Sequence, residues 1–405
     1  MKNLISLLLV LMLSMVSFAG AEESRGTLEY QPLKELTAQY GFTMGAPMSA
    51  GDLSNPSYRE LLKHHFDTIT ATNEMKAYSL LNQWSSQHSP DGMPRMNFST
   101  ADRMVQFAAD NGLKVRGHVL VWDAYMTQWF FHENYDTRKP IADAETLKTR
   151  MKSYIEQVVT HFEEKFPGVV YCWDVVNEAV GDSVGEYKPG DERHLRTKRN
   201  GDINPFYEYI GPDYVELAFL YAKDAVEALG ADITLFYNDY NALYDAKRAA
   251  IKALVKSINT FAKDETGEYR QLVDGVGMQG YIGGYGTQSG CFSNNDVNLV
   301  KKSIKEYAEL GVQVQLTEMS LRNYDEKKQA EHAAFYGKMF DVFCAANEGE
   351  NNPLTSVAIW GLVDCNNLPS DHYSWKLNGP YCGLFDLSLN VKESFTTIYA
   401  QMGGK

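Results

Sequence analysis

Two glutamates, Glu178 and Glu318, each end a run of apolar, β-prone residues, at positions 173–178 and 316–318. An unpaired carboxylate is costly in such surroundings, so both positions call for a chemical explanation. Two carboxyl groups that face each other across a cleft can cleave a glycosidic bond, because one protonates the leaving oxygen while the other attacks or stabilises the anomeric carbon. Asn177, beside the first glutamate, could hold a sugar hydroxyl next to the acid. The alternative for either glutamate alone is a salt bridge at a strand end.

Four further side chains stand where they could contact a ligand: Lys76, His118, Trp122 and Trp360. Lys76 follows a strand end, where apolar packing gives no reason for a lysine, so we interpret it as ligand-facing rather than as a solvated loop charge. His118 could instead be a core histidine bonded to backbone. The two tryptophans could pack the core or stack on sugar rings. The sequence contains none of the Cys or His spacings of a metal site, so neither a metal nor another cofactor is predicted.

The elements that must position these residues follow one repeated pattern, a short β-prone run and then a longer stretch of helical periodicity. The eight β-prone runs are residues 42–49, 66–72, 114–122, 169–178, 233–240, 275–281, 312–320 and 355–364. The six helical stretches are residues 101–111, 146–166, 213–229, 245–262, 296–310 and 325–347. Four of the six begin with Asp, a favoured N-cap residue.

This alternation predicts an α/β fold with a single (β/α)8 TIM barrel, since several runs are apolar on both faces, as buried parallel strands are. A doubly wound open sheet is the alternative, but no phosphate-binding glycine turn follows the first strand, and the glycines at 283–286 form a lone cluster. Long loops at 180–205, 282–295 and 365–383 each follow a strand. In a barrel they would meet on the catalytic face, with the strand-end glutamates.

The charge of the chain narrows the range of partners. Its 405 residues include 38 Lys and Arg against 52 Asp and Glu, a formal net charge of −14. Such a charge repels nucleic acid and anionic membranes, so neither is expected as a partner, and the substrate is expected to be neutral or not held by charge. No run of 18 apolar residues follows the N-terminal segment, which argues against a membrane-spanning helix. We expect a monomer.

Residues 1–21 have the order of a secretory signal peptide, with Lys2, an apolar run over 4–18 and small residues at 19–21. A buried first helix is the alternative. The expected mature chain, residues 22–405, would form the catalytic domain and be secreted, either to the periplasm or to the outside.

Five cysteines are too few for a disulfide scaffold of this size, and at most two bridges could form. Cys365 and Cys382 flank one loop and are the expected pair. The alternative is that both are thiols.

Taken together, the motifs resemble those of a known family, the retaining β-1,4-xylanases of glycoside hydrolase family 10. The matching segments occur in the same order over nearly the whole expected mature chain. They are residues 66–70 (FDTIT), 73–76 (NEMK), 97–98, 101–102, 115–122 (VRGHVLVW), 173–178 (WDVVNE), 237–241 (YNDYN), 274–279 (DGVGMQ), 316–318 (LTE), 360–361, 364 and 384–386.

The resemblance implies a double displacement with Glu178 as acid/base, Glu318 as nucleophile and Asn177 as the contact to the 2-hydroxyl of the −1 sugar. The two carboxyl groups of such a site should lie about 5–5.5 Å apart. The resemblance also implies a shell that grips the −2 and −1 sugars, formed by Asn73, Lys76, His118, Trp122 and Gln279.

Four positions depart from the family pattern. Thr72 stands where Glu is usual, and Asp123 stands where His is expected after the tryptophan, so the glycone side is altered. Tyr281 replaces a His that bonds the nucleophile, and Ser320 replaces an Asp two residues beyond it. A phenol can still donate one hydrogen bond to Glu318, so we retain Tyr281 as a site residue.

The loop after the last strand can be aligned with the family in two ways. The usual Asp-x-x-Ser-Trp pattern could start at Asp364, but residues 371–375 fit it after a seven-residue insertion, so we assign the loop tryptophan to Trp375. Tyr381 is a candidate for the second loop tryptophan of the family. Lys392 resembles a lysine near the C-terminus of its members.

Three functional hypotheses are compatible with these residues. The first is a secreted endo-1,4-β-xylanase that cleaves internal bonds of xylan with retention. The second keeps the mechanism and changes the substrate, to xylo-oligosaccharides, aryl glycosides, another β-glycan or a glycoside of a small plant metabolite. The third, a non-catalytic carbohydrate-binding relative, is disfavoured because binding alone does not require both Glu178 and Glu318.

Overall fold

The computed structural model describes residues 25–284, 289–349, 352–365 and 379–404. Within these ranges eight parallel strands close into a barrel in sequence order, with the last strand pairing with both the seventh and the first. The strands are β1 (Thr43–Met48), β2 (Thr68–Ala71), β3 (Lys114–Val121), β4 (Val170–Asn177), β5 (Thr234–Asp239), β6 (Gly275–Met278), β7 (Gln313–Leu321) and β8 (Leu354–Ile359). The predicted (β/α)8 barrel is therefore confirmed, and each strand overlaps its predicted run.

Helices lie before the first strand, between the strands and after the last one. They are α1 (Arg25–Glu29), α2 (Leu33–Ala38), α3 (Pro56–His65), α4 (Ala77–Leu80), α5 (Gln83–Gln87), α6 (Ser99–Asp110), α7 (Ala144–Lys165), α8 (Pro205–Tyr209), α9 (Tyr214–Leu229), α10 (Asp245–Ile258), α11 (Asn294–Ala308), α12 (Gln329–Ala346) and α13 (Glu393–Gln401). Short 3-10 helices span Ala50–Ser54, Asp123–Tyr125, Gln128–Phe131, Glu133–Tyr135 and Glu326–Lys328.

Two helices that follow barrel strands, α3 after β1 and α13 after β8, were not among the predicted helical stretches. The start of α3 carries a readable signal, since Asn55 caps the backbone N–H of Tyr58 and Pro56 occupies the first turn. Two of the four predicted N-cap aspartates occupy N-cap positions. Asp213 precedes α9 without a side-chain cap bond, and Asp325 caps the 3-10 turn that leads into α12. Asp245 and Asp296 instead lie inside the first turn of their helices.

The sixth predicted strand, residues 275–281, is interrupted in the structure. β6 ends at Met278, Gly280 adopts a left-handed φ of +78°, and a short strand, Tyr281–Ile282, then pairs with the end of β7. Glycine adopts that backbone conformation without the steric cost of a side chain. This turn carries Tyr281 alongside β7, the strand that holds Glu318.

The barrel interior contains a polar cluster below the catalytic face. Arg116 of β3 forms an ion pair with Asp174 of β4 and donates to Gln315 Oε1 of β7 at 2.5 Å. Its guanidinium also lies 4.7 Å from the ring centre of Phe236 on β5. A Cβ added at Gly277 of β6 would lie 2.4 Å from Asn238 Oδ1 and 2.8 Å from Thr317 Cγ2, and 3.1 Å from the Arg116 guanidinium, so these three side chains leave no room for another at that level. The Arg116 cluster thus crosses the barrel.

Two further sequence-based expectations can be compared with the structure. Cys382 is a buried thiol that donates to the carbonyl of Gly379 at 3.1 Å, so the expected Cys365–Cys382 disulfide is wrong. Among the described helices, none is long and apolar enough to cross a membrane. The predicted signal peptide lies outside the described residues.

Candidate active site

Glu178 follows the last residue of β4 and has a left-handed φ of +56°. This conformation is uncommon for a residue with a side chain and costs of the order of 1–3 kcal/mol. The surrounding structure holds it in place. The backbone N–H of Glu178 donates to the carbonyl of Asn238 at 2.9 Å, and its own carbonyl accepts from Arg196 at 3.2 Å and from Arg199 at 3.1 Å. The barrel therefore presents the Glu178 carboxyl at the mouth of the strands.

Glu318 lies within β7 and is only 9% exposed. Its Oε2 accepts from the hydroxyl of Tyr281 at 2.5 Å, and its Oε1 accepts from Asn238 Nδ2 at 3.4 Å. Burial raises the pKa of Glu318 above its ordinary value, and the negative charge of Glu178 acts in the same direction. His118, the Tyr281 hydrogen bond and Lys76 oppose that rise. Glu318 is therefore a buried carboxyl group whose charge is supported by three neighbours.

Three amide side chains connect the two carboxyl groups. Gln279 Nε2 donates to Glu178 Oε1 at 3.0 Å and to Asn177 Oδ1 at 3.4 Å. Asn238 Nδ2 donates to Asn177 Oδ1 at 2.9 Å as well as to Glu318. These two bonds occupy the oxygen of Asn177, while its buried Nδ2 has no hydrogen-bond partner among the described residues. A ligand hydroxyl could satisfy that donor.

The orientation of Asn238 is set by a residue next to the nucleophile candidate. Thr317 Oγ1 donates to Asn238 Oδ1 at 2.6 Å, so the amide nitrogen must face Asn177 and Glu318. Asn238 was not predicted from the sequence to take part in the chemistry. The structure shows that it contacts Glu318 directly.

His118 is tied to the polar cluster of the barrel interior. Its Nδ1 lies 2.9 Å from Asp174 Oδ2, and the imidazole is 4% exposed. Burial raises the pKa of Asp174, but Arg116 and His118 outweigh it and hold that pKa below its usual value. Asp174 therefore remains charged and orients His118. The alternative of a histidine bonded to backbone is not what the structure shows.

Lys76, Trp122 and Tyr125 pack together beside the carboxyl groups. The Lys76 ammonium lies 5.1 Å from the ring centre of Trp122 and 4.3 Å from that of Tyr125, and it donates to Asn73 Oδ1 at 3.1 Å. Burial lowers the pKa of Lys76, whereas Glu318, Glu178 and Glu74 raise it. The buried indole N–H of Trp122 has no hydrogen-bond partner in the described part of the chain, so it too could donate to a ligand.

Trp360 follows β8 and connects to the nucleophile strand, because its backbone N–H donates to the carbonyl of Met319 at 2.8 Å. It lines an open cavity of about 570 Å³ together with Thr72, Tyr58 and Leu387. This cavity lies at the ends of β1, β2 and β8. It includes Thr72, one of the positions that depart from the family pattern.

Asp123, another such position, takes part in a contact that was not predicted from the sequence. Arg199 binds Asp123 with two hydrogen bonds, Nε to Oδ2 at 2.9 Å and Nη2 to Oδ1 at 2.8 Å, and its Nη1 lies 2.8 Å from Glu178 Oε2. The sequence does contain a signal for the hairpin that carries Arg199. Asn200-Gly201 is a strong hairpin-turn dipeptide, and it lies in a loop already expected on the catalytic face.

The structure thus brings together Glu178, Glu318, Asn177, Asn73, Lys76, His118, Trp122, Gln279 and Tyr281, with Trp360 at one side. Trp375 lies outside the described residues. In the described ranges no group of three or more His, Cys, Asp or Glu side chains could hold a metal ion. Two carboxyl groups linked by neutral amide donors, with aromatic rings and spare N–H donors beside them, can bind a polyol ring and move a proton while forming an ester.

Comparison with known proteins agrees with this chemistry. The sequence profile of Glycosyl hydrolase family 10 matches residues 32–401. The beta-1,4-xylanase of Dictyoglomus thermophilum is 31% identical, over 96% of this chain and 97% of the relative. Endo-1,4-beta-xylanase A of Thermotoga maritima is 34% identical over 92% of this chain, which spans only 31% of that relative's length.

A solved structure gives the same result at the level of the fold. It contains the N-terminal modules of an endo-1,4-beta-D-xylanase from Clostridium thermocellum in complex with xylohexaose. The match has a TM-score of 0.76 and 27% sequence identity, and it covers 91% of this chain and 67% of that one.

Proposed function

The chain belongs to glycosyl hydrolase family 10, and on that basis we propose that it cleaves internal β-1,4-xylosidic bonds of xylan by a retaining double displacement. In this proposal Glu178 is the acid/base and Glu318 is the nucleophile. The observation that carries it is the convergence of these two carboxyl groups at the barrel mouth, joined through Gln279, Asn177 and Asn238.

In the first step a carboxylate oxygen of Glu318 attacks the anomeric carbon of the −1 sugar. The bond from that carbon to the glycosidic oxygen breaks, and its electron pair stays on the oxygen, which takes the proton of Glu178. The hydrogen bond from Tyr281 and the nearby Lys76 and His118 support the charge that Glu318 needs in order to attack. The products are a glycosyl ester of Glu318 and the released aglycone chain.

In the second step Glu178, now a carboxylate, takes a proton from a water molecule whose oxygen attacks the same carbon. The ester bond to Glu318 breaks, and its electrons return to the carboxylate. In this proposal Asn177 Nδ2 donates to the 2-hydroxyl of the sugar in both steps, a role supported by its lack of another partner and by the occupation of its oxygen by Asn238 and Gln279. Two inversions leave the anomeric configuration unchanged.

Xylan is the substrate best supported by the three relatives described above, all of which are named as xylanases and one of which is solved with xylohexaose. A different β-glycan is the second candidate. It is favoured by the substitutions on the glycone side, where Thr72 borders the cavity beside Trp360 and Asp123 is paired with Arg199.

The test compares reducing-sugar release from xylan, mixed-linkage β-glucan and soluble cellulose. We expect release from xylan, with products of several lengths at early times, and we expect NMR to show first-formed products of unchanged anomeric configuration. The Glu178→Gln/Glu318→Gln double variant is the background control. Release from a glucan in place of xylan would select the second candidate, and binding without release would point to a non-catalytic relative.

We also propose export from the cytoplasm, supported by the charge, apolar run and small residues of positions 1–21. Expression of the full chain in a bacterial host with a secretion pathway, followed by N-terminal sequencing of the recovered protein, tests this. The expected mature N-terminus is Glu22. A product that retains Lys2 in the cytoplasm would contradict it.

A further inference from the structure

We propose that Arg199 is a positioning residue for the reaction, holding the carboxyl group of Glu178, and that Asp123 in turn holds Arg199. This inference rests on the proposed function, since it takes Glu178 to be the acid/base. It concerns two residues that the resemblance to the family does not explain, one in a loop hairpin and one at a position where the family has a different residue.

The hairpin delivers Arg199 in a defined geometry. Two short strands, Lys198–Arg199 and Asp202–Ile203, pair antiparallel around Asn200-Gly201, both of which have a positive φ. Such a two-residue turn is well matched to the twist of a hairpin and sets its register. The hairpin therefore constrains the main chain of Arg199 independently of the contacts of its side chain.

The side chain of Arg199 then grips Glu178 at two points. Nη1 donates to the carboxylate Oε2 at 2.8 Å, and Nη2 donates to the backbone carbonyl at 3.1 Å. The second contact is to the backbone of Glu178 itself, whose left-handed φ sets the direction of its own side chain. Gln279 holds the other carboxylate oxygen at 3.0 Å, so both oxygens of Glu178 are fixed by separate donors.

Asp123 secures the guanidinium from the opposite side. The two-point contact between them is the fork geometry in which arginine binds a carboxylate most specifically. The side chains of Asp123, Glu178 and Arg199 are 6%, 11% and 19% exposed. Charge pairs this shielded from water are less weakened by solvent than surface pairs.

The arrangement has a direct consequence for proton transfer. When Glu178 gives its proton to the glycosidic oxygen, the guanidinium already contacts the carboxylate that remains, and no rearrangement is needed to stabilise the new charge. The same contact holds the carboxylate in place while it takes a proton from water in the second step. Arg199 is thus expected to act on both steps through Glu178.

The experiment compares two substrates in the Arg199→Met variant of the full-length enzyme. Xylotetraose has a poor leaving group that needs the acid, whereas 2,4-dinitrophenyl β-xylobioside has a leaving group that departs without one. We expect kcat/KM to fall by about 10–100-fold for xylotetraose and by less than about 3-fold for the aryl substrate. The kcat on the aryl substrate should also fall, because hydrolysis of the ester intermediate needs Glu178 as a base.

Lys198→Met is the matched control, since it removes an exposed cation from the same hairpin and should leave both substrates unaffected. Arg199→Lys should recover only part of the loss, because an ammonium cannot make the forked contact. Equal losses on the two substrates, or no loss on either, would overturn the proposal. Absence of wild-type activity on xylotetraose would instead contradict the proposed substrate, and the same comparison would then use cellotetraose and 2,4-dinitrophenyl β-cellobioside.

The Asp123→Asn variant tests the part assigned to Asp123 and also covers the case in which Arg199→Met does not fold. Asp123→Asn should reduce kcat/KM for xylotetraose in the same leaving-group-dependent way. The double variant should be no worse than Arg199→Met alone, since the two residues act through one contact. Additive losses would mean that Asp123 acts independently of Arg199.

Discussion

The hydroxyl of Tyr281 donates to Oε2 of Glu318 at 2.5 Å. Tyr281 also pairs in register with Ser320, on the strand that holds Glu318. The two departures from the family pattern around the nucleophile are therefore neighbours. A phenol always carries its hydrogen at neutral pH, whereas an imidazole requires a partner that selects its tautomer. Replacing the histidine with Tyr281 removes the need for an acidic partner, and Ser320 is a small buried residue in its place.

Removal of this hydroxyl in Tyr281→Phe should slow turnover by roughly 10–100-fold, the size expected for one hydrogen bond to a charged group. The hydrogen bond lowers the pKa of Glu318 against the effect of burial, so its loss should raise that pKa further. Because the nucleophile must be ionised, the acidic limb of the pH profile should move to higher pH. Kinetics from pH 4 to 8, with thermal melting as the control for folding, check both effects. Unchanged turnover would assign the orientation of Glu318 to Asn238 or His118.

Glu318→Ala should leave a folded protein whose activity is reduced by several orders of magnitude. Added azide should restore glycosyl transfer, because it fits the space left by the carboxylate and attacks the anomeric carbon directly. The product should be a glycosyl azide of inverted configuration, identified by NMR. Near-wild-type turnover in this variant would rule out both the nucleophile assignment and the retaining mechanism.

Glu178→Ala should slow substrates with poor leaving groups far more than activated aryl glycosides, because only the former need a proton donor. The measurement is kcat/KM for a series of aryl glycosides of falling leaving-group acidity. We expect a steeper dependence than in the wild type. A parallel loss across the series would show that Glu178 serves only to bind the sugar.

The buried carboxyl of Asp239, at the end of β5, should make stability depend on pH. Burial raises the pKa of Asp239 to about 6, although Lys247 lies 3.1 Å away. The unfolded chain loses this proton near pH 3.8, so the folded state binds more protons between about pH 4 and 6, and stability falls as pH rises through that window. As the pH rises over this range, the wild type should lose roughly 3 kcal/mol of its free energy of unfolding relative to the Asp239→Asn variant. Urea titrations of both proteins at pH 4 and 7 test this prediction. The same difference in free energy of unfolding at the two pH values would refute it.

The ion pair of the barrel interior predicts a large stability effect. Arg116→Met leaves Asp174 buried with His118 as its remaining ionic partner, so the free energy of unfolding should fall by about 3–5 kcal/mol. Arg138→Met, which breaks an exposed pair with Asp136, is the control and should barely change the melting temperature. Similar melting temperatures for the two variants would show that the interior pair contributes little.

Much of the fold and the outline of the site could be predicted because they depend on local patterns. Strands buried on both faces are rich in apolar residues, so the eight runs were visible, and a barrel gathers the residues after each strand on one face. Glu178 and Glu318 stood out because each was taken to end such a run; Glu178 does follow β4, whereas β7 continues past Glu318 to Leu321. The helix starts were less predictable, since an aspartate near the first turn caps a helix only if its backbone adopts the extended conformation.

The contacts that prepare the catalytic groups depended on tertiary structure. Arg199 and Asp123 are 76 residues apart and come from different loops, and nothing local makes one the partner of the other. Asn238 contacts Glu318 only because Thr317, on another strand, occupies its oxygen. Residue types and strand ends are properties of short segments, so the sequence by itself determined which carboxyl groups face the barrel mouth. Hydrogen-bond partners across the mouth depend on how separate loops pack against each other, and only the folded chain decided them.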